Sequence, residues 1–217
     1  MMNLEAAKRH LIESDSILAQ VIAQVGDPQI TTETDAWRAL TSSIIGQQVS
    51  VHAARAIRNR FAALESERDF PTPQFVIDAS DETLRAVGLS RNKVLSIRDL
   101  ARHISEGLIN FDKFDSMSDE EIVAALVPVR GIGRWTAEMF LIFSLGREDV
   151  LAVDDLGLRN AMKKLYNLEA APTSTRMREI AAAWKPFQSV ASWYLWRSLD
   201  NAIQIERGEK LDALYPL

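Results

Sequence analysis

The chain has 217 residues, which suits one domain or two lobes that share a core, and its 47 % hydrophobic and 25 % charged residues are typical of globular proteins. Because the sequence contains no cysteine, it excludes disulfides, Cys-ligated zinc and iron–sulfur clusters bound by thiolates. The net charge of −5 argues against a general polyanion binder, but it permits a protein that grips a polyanion through a few backbone amides and a local basic strip.

Apolar residues recur at intervals of three and four positions along most of the chain, which is the spacing of amphipathic helices. In chain order this spacing predicts helices through residues 4–22, 37–53, 95–104, 122–126, 135–143, 156–165 and about 187–205. A capping-box sequence, Ser118 to Glu121, precedes the fourth of them. Turn-forming residues predict loops near 26–28, 70–73, 111–118 and 171–173. Because no stretch alternates like a β-strand, the sequence predicts an all-α fold.

The sequence has no membrane or metal signature. No stretch approaches the ~20 uninterrupted apolar residues of a membrane span, and the N-terminus, with Glu5 early in it, lacks a signal-peptide layout. We therefore expect a soluble cytoplasmic protein. His10, His52 and His103 are scattered, and isolated histidines on helix faces or surfaces do not indicate a metal site.

The segment Arg130-Gly131-Ile132-Gly133-Arg134 joins two predicted helices through a glycine turn. Glycine permits positive φ and leaves no side chain to block close approach. The amides that begin the second helix point outward, where the helix dipole favours an anion such as a phosphate. Arg130 and Arg134 flank the turn and would add positive charge. Residues from about 119 to 145 thus form either a helix–hairpin–helix motif that positions a nucleic-acid backbone or a plain αα-hairpin without a ligand.

Two aspartates, Asp154 and Asp155, end an apolar run directly before a predicted helix. Asp is a favoured N-cap residue, and capping explains one of the two acids better than it explains both. The helix dipole keeps a carboxylate ionised at this position, and a sheltered ionised carboxylate can stabilise a cationic transition state. The pair is therefore either a helix cap alone or a cap that includes a catalytic carboxylate.

These two motifs together resemble the helix–hairpin–helix DNA glycosylases, and among them the alkylation-repair branch, 3-methyladenine DNA glycosylase II. The resemblance rests on residues 129–137 and on Asp155, which follows Gly133 by 22 residues. Further matching segments lie on both sides of these motifs: Ile44 to Ser50 upstream, and Trp184 to Phe187, Ser189 and Trp196 downstream. Because the matches span residues from about 37 to 197 in order, they are more specific together than any one motif alone.

The resemblance implies an all-α fold of two helical lobes with a central cleft. One lobe would contain about residues 36–135, and the other residues 1–35 and 136–217. A member of this branch flips a damaged nucleotide out of duplex DNA into a pocket in the cleft. It then hydrolyses the N-glycosidic bond of an alkylated purine, of the 3-methyladenine and 7-methylguanine class, and leaves an abasic site for base excision repair. Asp155, the second acid of the family's pair, would stabilise the sugar cation and orient or deprotonate the attacking water.

The residues expected to line the base pocket are Trp135, Trp196, Met139 and Leu156. Trp135 stands where bifunctional members of the superfamily have a lysine that attacks the sugar. Since tryptophan is not an amine nucleophile, the resemblance implies a monofunctional hydrolase without lyase activity. An indole face attracts a cationic base by ~0.5–2 kcal/mol, and Trp196 matches a second aromatic residue of the family pocket. The alternative for both tryptophans is ordinary helix packing.

Met139 and Leu156 stand where the best-known bacterial member has tyrosines, so we expect a less aromatic pocket. Gln48 stands where the family places a wedge that fills the gap left by the flipped base; the alternative is a polar residue on a helix surface. Family hairpins can also hold a monovalent cation, Na or K, on backbone carbonyls. The carbonyls in this chain would be those of Val127, Val129 and Ile132.

The resemblance further implies that no cofactor is required and that the partner is double-stranded DNA with a damaged base. We expect a monomer without membrane attachment, associated with the nucleoid if the protein is prokaryotic. The chain begins close to the first helix of the shared core, which indicates the short form without an N-terminal β domain.

Three rival readings make different predictions. A non-catalytic helix–hairpin–helix DNA-binding module would function without Asp155. A glycosylase for a neutral oxidised base would normally have a lysine at the position of Trp135. A purely structural helical protein would not bind DNA at low salt.

Overall fold

The structure is a computed structural model that describes residues 2–207, and the side chains of residues 2–200. Residues 2–207 contain helices and no β-strand, so the predicted all-α class is confirmed. The α-helices are α1 (Leu4–Ser14), α2 (Ser16–Val25), α3 (Ala36–Gly46), α4 (Val51–Ala62), α5 (Pro73–Asp78), α6 (Asp81–Ala86), α7 (Arg91–Ser105), α8 (Asp119–Leu126), α9 (Arg134–Phe143), α10 (Leu156–Leu165), α11 (Ser174–Ala181) and α12 (Gln188–Arg207). Two 3-10 helices accompany them, Phe111–Ser116 and Ala182–Trp184.

The helices form two compact units. The first unit contains the residues up to Thr32 and those from Leu141 onward, which include α1, α2 and α10 to α12. The second unit contains residues 33–140, which include α3 to α8 and most of α9. The chain therefore returns to the first unit within α9. Residues 208–217, which the expected second lobe includes, lie outside the described residues.

Each unit has its own apolar core. In the first unit, α12 packs against α2 and α10, and α1 packs against α2. Leu11, Leu18 and Tyr194 are fully buried there. In the second unit, α7 packs against α3 and α5, and Leu40 and Leu100 are fully buried. Both functional segments predicted from the sequence, the glycine turn and the aspartate pair, begin helices that these cores hold in place.

The single helix predicted through residues 4–22 is wrong, because the chain breaks at Asp15 into α1 and α2. Asp15 has an extended backbone, and one of its carboxylate oxygens accepts from the backbone N–H groups of Ile17 and Leu18 at 2.9 and 3.1 Å. The other oxygen accepts from the Tyr166 hydroxyl at 2.5 Å and the Trp184 indole at 2.8 Å. The break is therefore fixed by partners about 150 or more positions away in the sequence.

The long helix predicted through residues 37–53 is also wrong. Helix α3 ends at Gly46, and α4 begins at Val51 after a turn formed by residues 47–50. Gln48 in this turn has φ of +56°, and the hydroxyl of Ser50 caps α4 by accepting from Ala53 N at 3.3 Å. The periodicity runs through the turn because α3 and α4 pack against each other.

Helices α5, α6 and α11 were not predicted, because six to eight residues are too few to show periodicity. Each begins after a Thr or Ser N-cap, at Thr72, Ser80 and Thr173. The predicted loop near 111–118 contains the 3-10 helix Phe111–Ser116. The capping box between Ser118 and Glu121 is confirmed, with both reciprocal hydrogen bonds present. Within residues 2–207, no helix has the length and apolarity needed to cross a membrane.

Candidate functional site

The predicted glycine turn joins α8 to α9. Gly131 has φ of +80°, and a Cβ atom placed on it would lie 2.6 Å from Ser96 Oγ, so both conformation and space require glycine. A Cβ atom placed on Gly133 would have no described residue within 4 Å apart from its chain neighbours and its own helix backbone. Helix α9 begins directly after Gly133, whose carbonyl accepts the first helical hydrogen bond from Ala137 N at 3.0 Å. Glycine has no side chain with which to cap the helix, so it leaves room for an anion at the α9 N-terminus.

The charge at the hairpin differs from the sequence expectation. The Arg134 guanidinium donates to both carboxylate oxygens of Glu120 at 2.9 and 2.7 Å and lies 3.7 Å from Glu138. This pairing raises the pKa of Arg134 and lowers the pKa of the Glu120 carboxyl. A carboxylate therefore already balances the positive charge of Arg134. This pairing was not predicted, because Glu120 belongs to the acidic first turn of α8, 14 positions before Arg134.

Arg130 flanks the hairpin on its other side. Its backbone N–H donates to the Asp99 carboxylate at 2.8 Å, and its guanidinium donates to Asn92 Oδ1 at 3.3 Å. Asp99 and Asn92 both belong to α7, so this helix holds the turn through two hydrogen bonds, while Arg130 remains exposed to solvent. Arg130 lies beside the turn, as predicted. Its hydrogen bonds to α7 were not predicted.

The turn that carries the predicted wedge residue, Gln48, lies next to the hairpin. Gln48 is exposed. Its neighbour Gln47 donates from Nε2 to the carbonyl oxygen of Gly131 at 2.9 Å, and Lys93 Nζ donates to the carbonyl of Ile45 at 2.7 Å. Burial lowers the pKa of Lys93. The structure thus brings together two segments separated by more than eighty residues, and neither Gln47 nor Lys93 could be found from periodicity.

Asp155 is the N-cap residue of α10 and is only 4 % exposed, whereas Asp154 is exposed. Asp155 Oδ1 accepts from the backbone N–H of Leu158 at 2.5 Å and from the Trp196 indole N–H at 3.0 Å. The aspartate chosen from the sequence is therefore the buried one of the pair. Two donors from separate helices, α10 and α12, orient its carboxylate.

Trp196 is 3 % exposed, and its ring lies 5.9 Å from that of Phe143 at an angle of 33°. The sequence predicted a pocket wall at this position. The structure gives Trp196 in addition a hydrogen-bonding contact with Asp155 that the sequence did not suggest, since the two residues are 41 positions apart.

The remaining predicted pocket residues belong to different units. Leu156 directly follows Asp155 in the first unit and is 70 % exposed, so its side chain is accessible to a ligand. Trp135 and Met139 lie on α9 in the second unit, where Trp135 is half-buried and Met139 is 6 % exposed.

The loop that leads to Asp155 is tied to α12 and α10. Ser189 Oγ donates to the carbonyl of Arg147 at 2.7 Å and accepts from Val150 N at 3.0 Å. The Arg159 guanidinium, one turn into α10, donates to the carbonyl of Val153 at 2.9 Å. These contacts fix the backbone on the N-terminal side of the buried carboxylate.

The predicted cation site would use the carbonyls of Val127, Val129 and Ile132, in the turn between α8 and α9. The carbonyl of Val129 accepts from Ile132 N at 3.0 Å, which gives the turn its tight form. Within the described part of the chain, no group of three or more His, Asp or Glu side chains is arranged to hold a metal ion.

An all-α fold in which a glycine hairpin begins one helix and a buried aspartate caps a later one is typical of a helix–hairpin–helix protein. Residues 41–186 match the model of the HhH-GPD superfamily base excision DNA repair proteins. The chain belongs to this superfamily, so the resemblance drawn from the motifs is confirmed.

Relatives and solved structures agree with this assignment. DNA-3-methyladenine glycosylase 1 of Schizosaccharomyces pombe is 36 % identical over 200 residues, which cover 90 % of this chain and 88 % of that protein. The structure of the S. pombe 3-methyladenine DNA glycosylase in complex with abasic DNA superposes with a TM-score of 0.80 at 36 % identity, over 89 % of this chain and 96 % of that one. A Bacillus halodurans DNA-3-methyladenine glycosidase gives a TM-score of 0.81 at 34 % identity and covers 91 % of both chains.

Proposed function

We propose that this protein is a monofunctional DNA glycosylase that removes alkylated purines from duplex DNA and leaves an abasic site. The observation that carries the proposal is the Asp155 carboxylate, which is buried, caps α10 and is oriented by the Trp196 indole. Support comes from the relatives above, which are 3-methyladenine glycosylases, and from the one that was solved on abasic DNA.

The hairpin supplies the grip on the DNA backbone. A phosphate oxygen accepts from the N–H groups that begin α9, where Gly133 leaves space and the helix dipole favours negative charge. Arg130 lies beside this position, and Arg134 can exchange Glu120 for the phosphate because an exposed ion pair is worth only about 0–1 kcal/mol. The grip places the duplex without reading its sequence.

The exposed turn at Gln48 supplies the wedge. Its side chain enters the space that the damaged nucleotide leaves when it rotates out of the stack, and its amide can pair with the orphaned base. Rotating the nucleotide out of the stack costs a few kcal/mol. Contacts with the flipped base and at the wedge offset this cost. Leu156, next to Asp155, offers exposed apolar surface to the flipped base, and an indole face such as that of Trp135 favours a cationic alkylated purine.

Asp155 acts on the bond between C1′ of the sugar and the base nitrogen. As that bond breaks, its electron pair leaves with the base, and positive charge develops on the sugar, which the carboxylate stabilises. Water then bonds to C1′, and Asp155 orients it and accepts its proton. An alkylated purine already carries positive charge and is neutral after it leaves, so the reaction needs little acid catalysis.

The strand is not cut in this reaction. Cleavage by a lyase requires an amine that forms a Schiff base with the sugar, and the family's lysine position holds Trp135 in this chain. No cofactor takes part in the proposed chemistry. We further propose that a sodium or potassium ion on the carbonyls of Val127, Val129 and Ile132 stiffens the hairpin, and that the protein acts as a monomer, since one duplex needs one grip.

The experiment that tests the function uses duplexes that each carry one defined lesion, namely 7-methylguanine, ethenoadenine, hypoxanthine or 8-oxoguanine. Strands are analysed with and without alkali after incubation with the protein. The proposal predicts release of an alkylated base, with strand breaks only after alkali. Strand breaks without alkali would indicate a lyase with another nucleophile. Binding without release of any base would indicate a non-catalytic DNA-binding module.

A further inference from the structure

We infer that Gln47 is a positioning residue that couples the phosphate grip of the hairpin to insertion of the wedge, Gln48. The inference rests on the proposed function and concerns a residue that contacts neither the reacting atoms nor the flipped base. It follows from a side-chain hydrogen bond that joins the wedge turn, residues 47–50, to the hairpin.

Gln47 is placed for this role by the end of α3. It leaves the helical conformation with φ of −58° and ψ of +131°, and its own N–H still bonds to Ile44 O at 3.4 Å. From there its side chain reaches 84 positions along the sequence and donates from Nε2 to the Gly131 carbonyl at 2.9 Å. The next residue, Gln48, has φ of +56°, a conformation uncommon outside glycine that persists where surrounding contacts hold it.

The acceptor of this hydrogen bond is itself fixed. Gly131 lies against Ser96, with no room for a Cβ atom, and the preceding peptide N–H, that of Arg130, bonds to Asp99. Both supports come from α7. The same helix supplies Lys93, whose ammonium group bonds to the carbonyl of Ile45 just before the turn.

Two side-chain hydrogen bonds therefore fix this part of the chain: Lys93 of α7 holds Ile45 near the end of α3, and the hairpin holds Gln47 in the wedge turn. Of these, only the Gln47 contact ends on the segment that receives the phosphate, two residues before Gly133. A duplex seated on the hairpin is consequently in a defined register with Gln48. Without the Gln47 amide, the hairpin still grips DNA, but the wedge is free to miss the base pair.

The test replaces Gln47 with Met, which keeps the length of the side chain and removes the donor, and with Glu, which sets a carboxylate oxygen against the Gly131 carbonyl. Gln48→Ala and the double variant Gln47→Met/Gln48→Ala complete a cycle. Three quantities are measured on one lesion duplex: its Kd, the single-turnover rate of base release, and the fluorescence of a 2-aminopurine placed next to the lesion, which rises when the stack opens. Thermal unfolding checks that each variant folds.

We expect Gln47→Met to lower the rate of base release about tenfold, as misplacement of a positioning group does, and to reduce the fluorescence rise, with Kd within about twofold. Gln47→Glu should lower both further. In the Gln48→Ala background, Gln47→Met should have no additional effect, because Gln47 acts through Gln48. A merely structural residue would instead slow both backgrounds equally.

Unchanged rate and fluorescence in Gln47→Met would overturn the inference, and so would losses that are additive with those of Gln48→Ala. A Kd that rises in proportion to the fall in the rate of base release would also contradict it, since that result indicates weaker binding alone. If the wild-type protein releases no base, the proposed function fails, and the fluorescence of the wild type and its four variants still decides whether Gln47 couples the hairpin to the wedge.

Discussion

Replacing Trp196 with Phe removes the indole N–H that Asp155 Oδ1 accepts at 3.0 Å and keeps an aromatic ring beside Phe143. A hydrogen bond to a charged group contributes roughly 1.5–3 kcal/mol. If the carboxylate needs this donor to face the sugar cation, the loss appears in the transition state and slows base release about tenfold to a hundredfold, at ~1.4 kcal/mol per tenfold. The lower end is favoured because Asp155 keeps the donor from Leu158 N.

The assay is the single-turnover rate of base release with enzyme in excess, so that product release does not enter. Trp193→Phe is the matched control, because Trp193 lies on the same helix, is 6 % exposed and packs edge-on against Tyr194 at 5.1 Å. Both variants lose the same atoms from a buried site, and thermal unfolding measures the additional stability that Trp196→Phe loses with its hydrogen bond to Asp155. A rate for Trp196→Phe no lower than that for Trp193→Phe would refute the reasoning that the indole orients Asp155.

Three further predictions concern the hairpin and the core. Gly131→Ala should lower the free energy of unfolding by roughly 2–3 kcal/mol, because alanine is strained at φ of +80° and its Cβ meets Ser96. Gly133→Ala should change stability little but weaken DNA binding. Thermal unfolding measures the stability of both variants, and duplex titration measures their affinity for DNA. Glu120→Gln should remove the closer of the two carboxylates beside Arg134 and strengthen binding of undamaged duplex up to about fivefold at low salt, less at high salt. Burial and nearby carboxylates raise the pKa of Tyr194 to about 12, against ~10 in the unfolded chain. The free energy of unfolding should therefore fall as pH rises between these values, and Tyr194→Phe should make this dependence on pH less steep.

Matched variants control two of these experiments. Adding Ser96→Gly to Gly131→Ala should restore the part of the lost stability that comes from the steric contact. Glu179→Gln makes the same change in net charge as Glu120→Gln, and it also breaks an exposed ion pair, with Arg176 at 2.8 Å on α11. Equal gains in affinity from Glu120→Gln and Glu179→Gln would mean that net charge, and not release of Arg134, determines the effect.

Local signals in the sequence were sufficient for several features of the fold and the site. The capping box at Ser118, the glycine turn at Gly131 and the N-cap position of Asp155 all depend on residues within a few positions of one another. Such features can be predicted from sequence because the hydrogen bonds and backbone conformations that stabilise them involve neighbouring residues.

Other features depend on pairings that a one-dimensional pattern does not contain. The break at Asp15 is held by Tyr166 and Trp184, and the orientation of Asp155 by Trp196. The period of apolar residues runs on across both helix breaks, since the helices on either side share a core, so periodicity alone joined them. The missed breaks had a local trace in the N-cap residues Asp15 and Ser50, which a stricter use of capping signals would have found.

If the Asp155 carboxylate drives base excision, Asp155→Asn should lose single-turnover base release from a lesion duplex, with Asp154→Asn as the control. Asparagine caps helices about as well as aspartate, so both variants should fold and bind the duplex. We expect Asp155→Asn to release base at least ~100-fold more slowly than the native protein, while Asp154→Asn retains most of the rate. Base release by Asp155→Asn at the native rate, from duplex bound equally well, would contradict it.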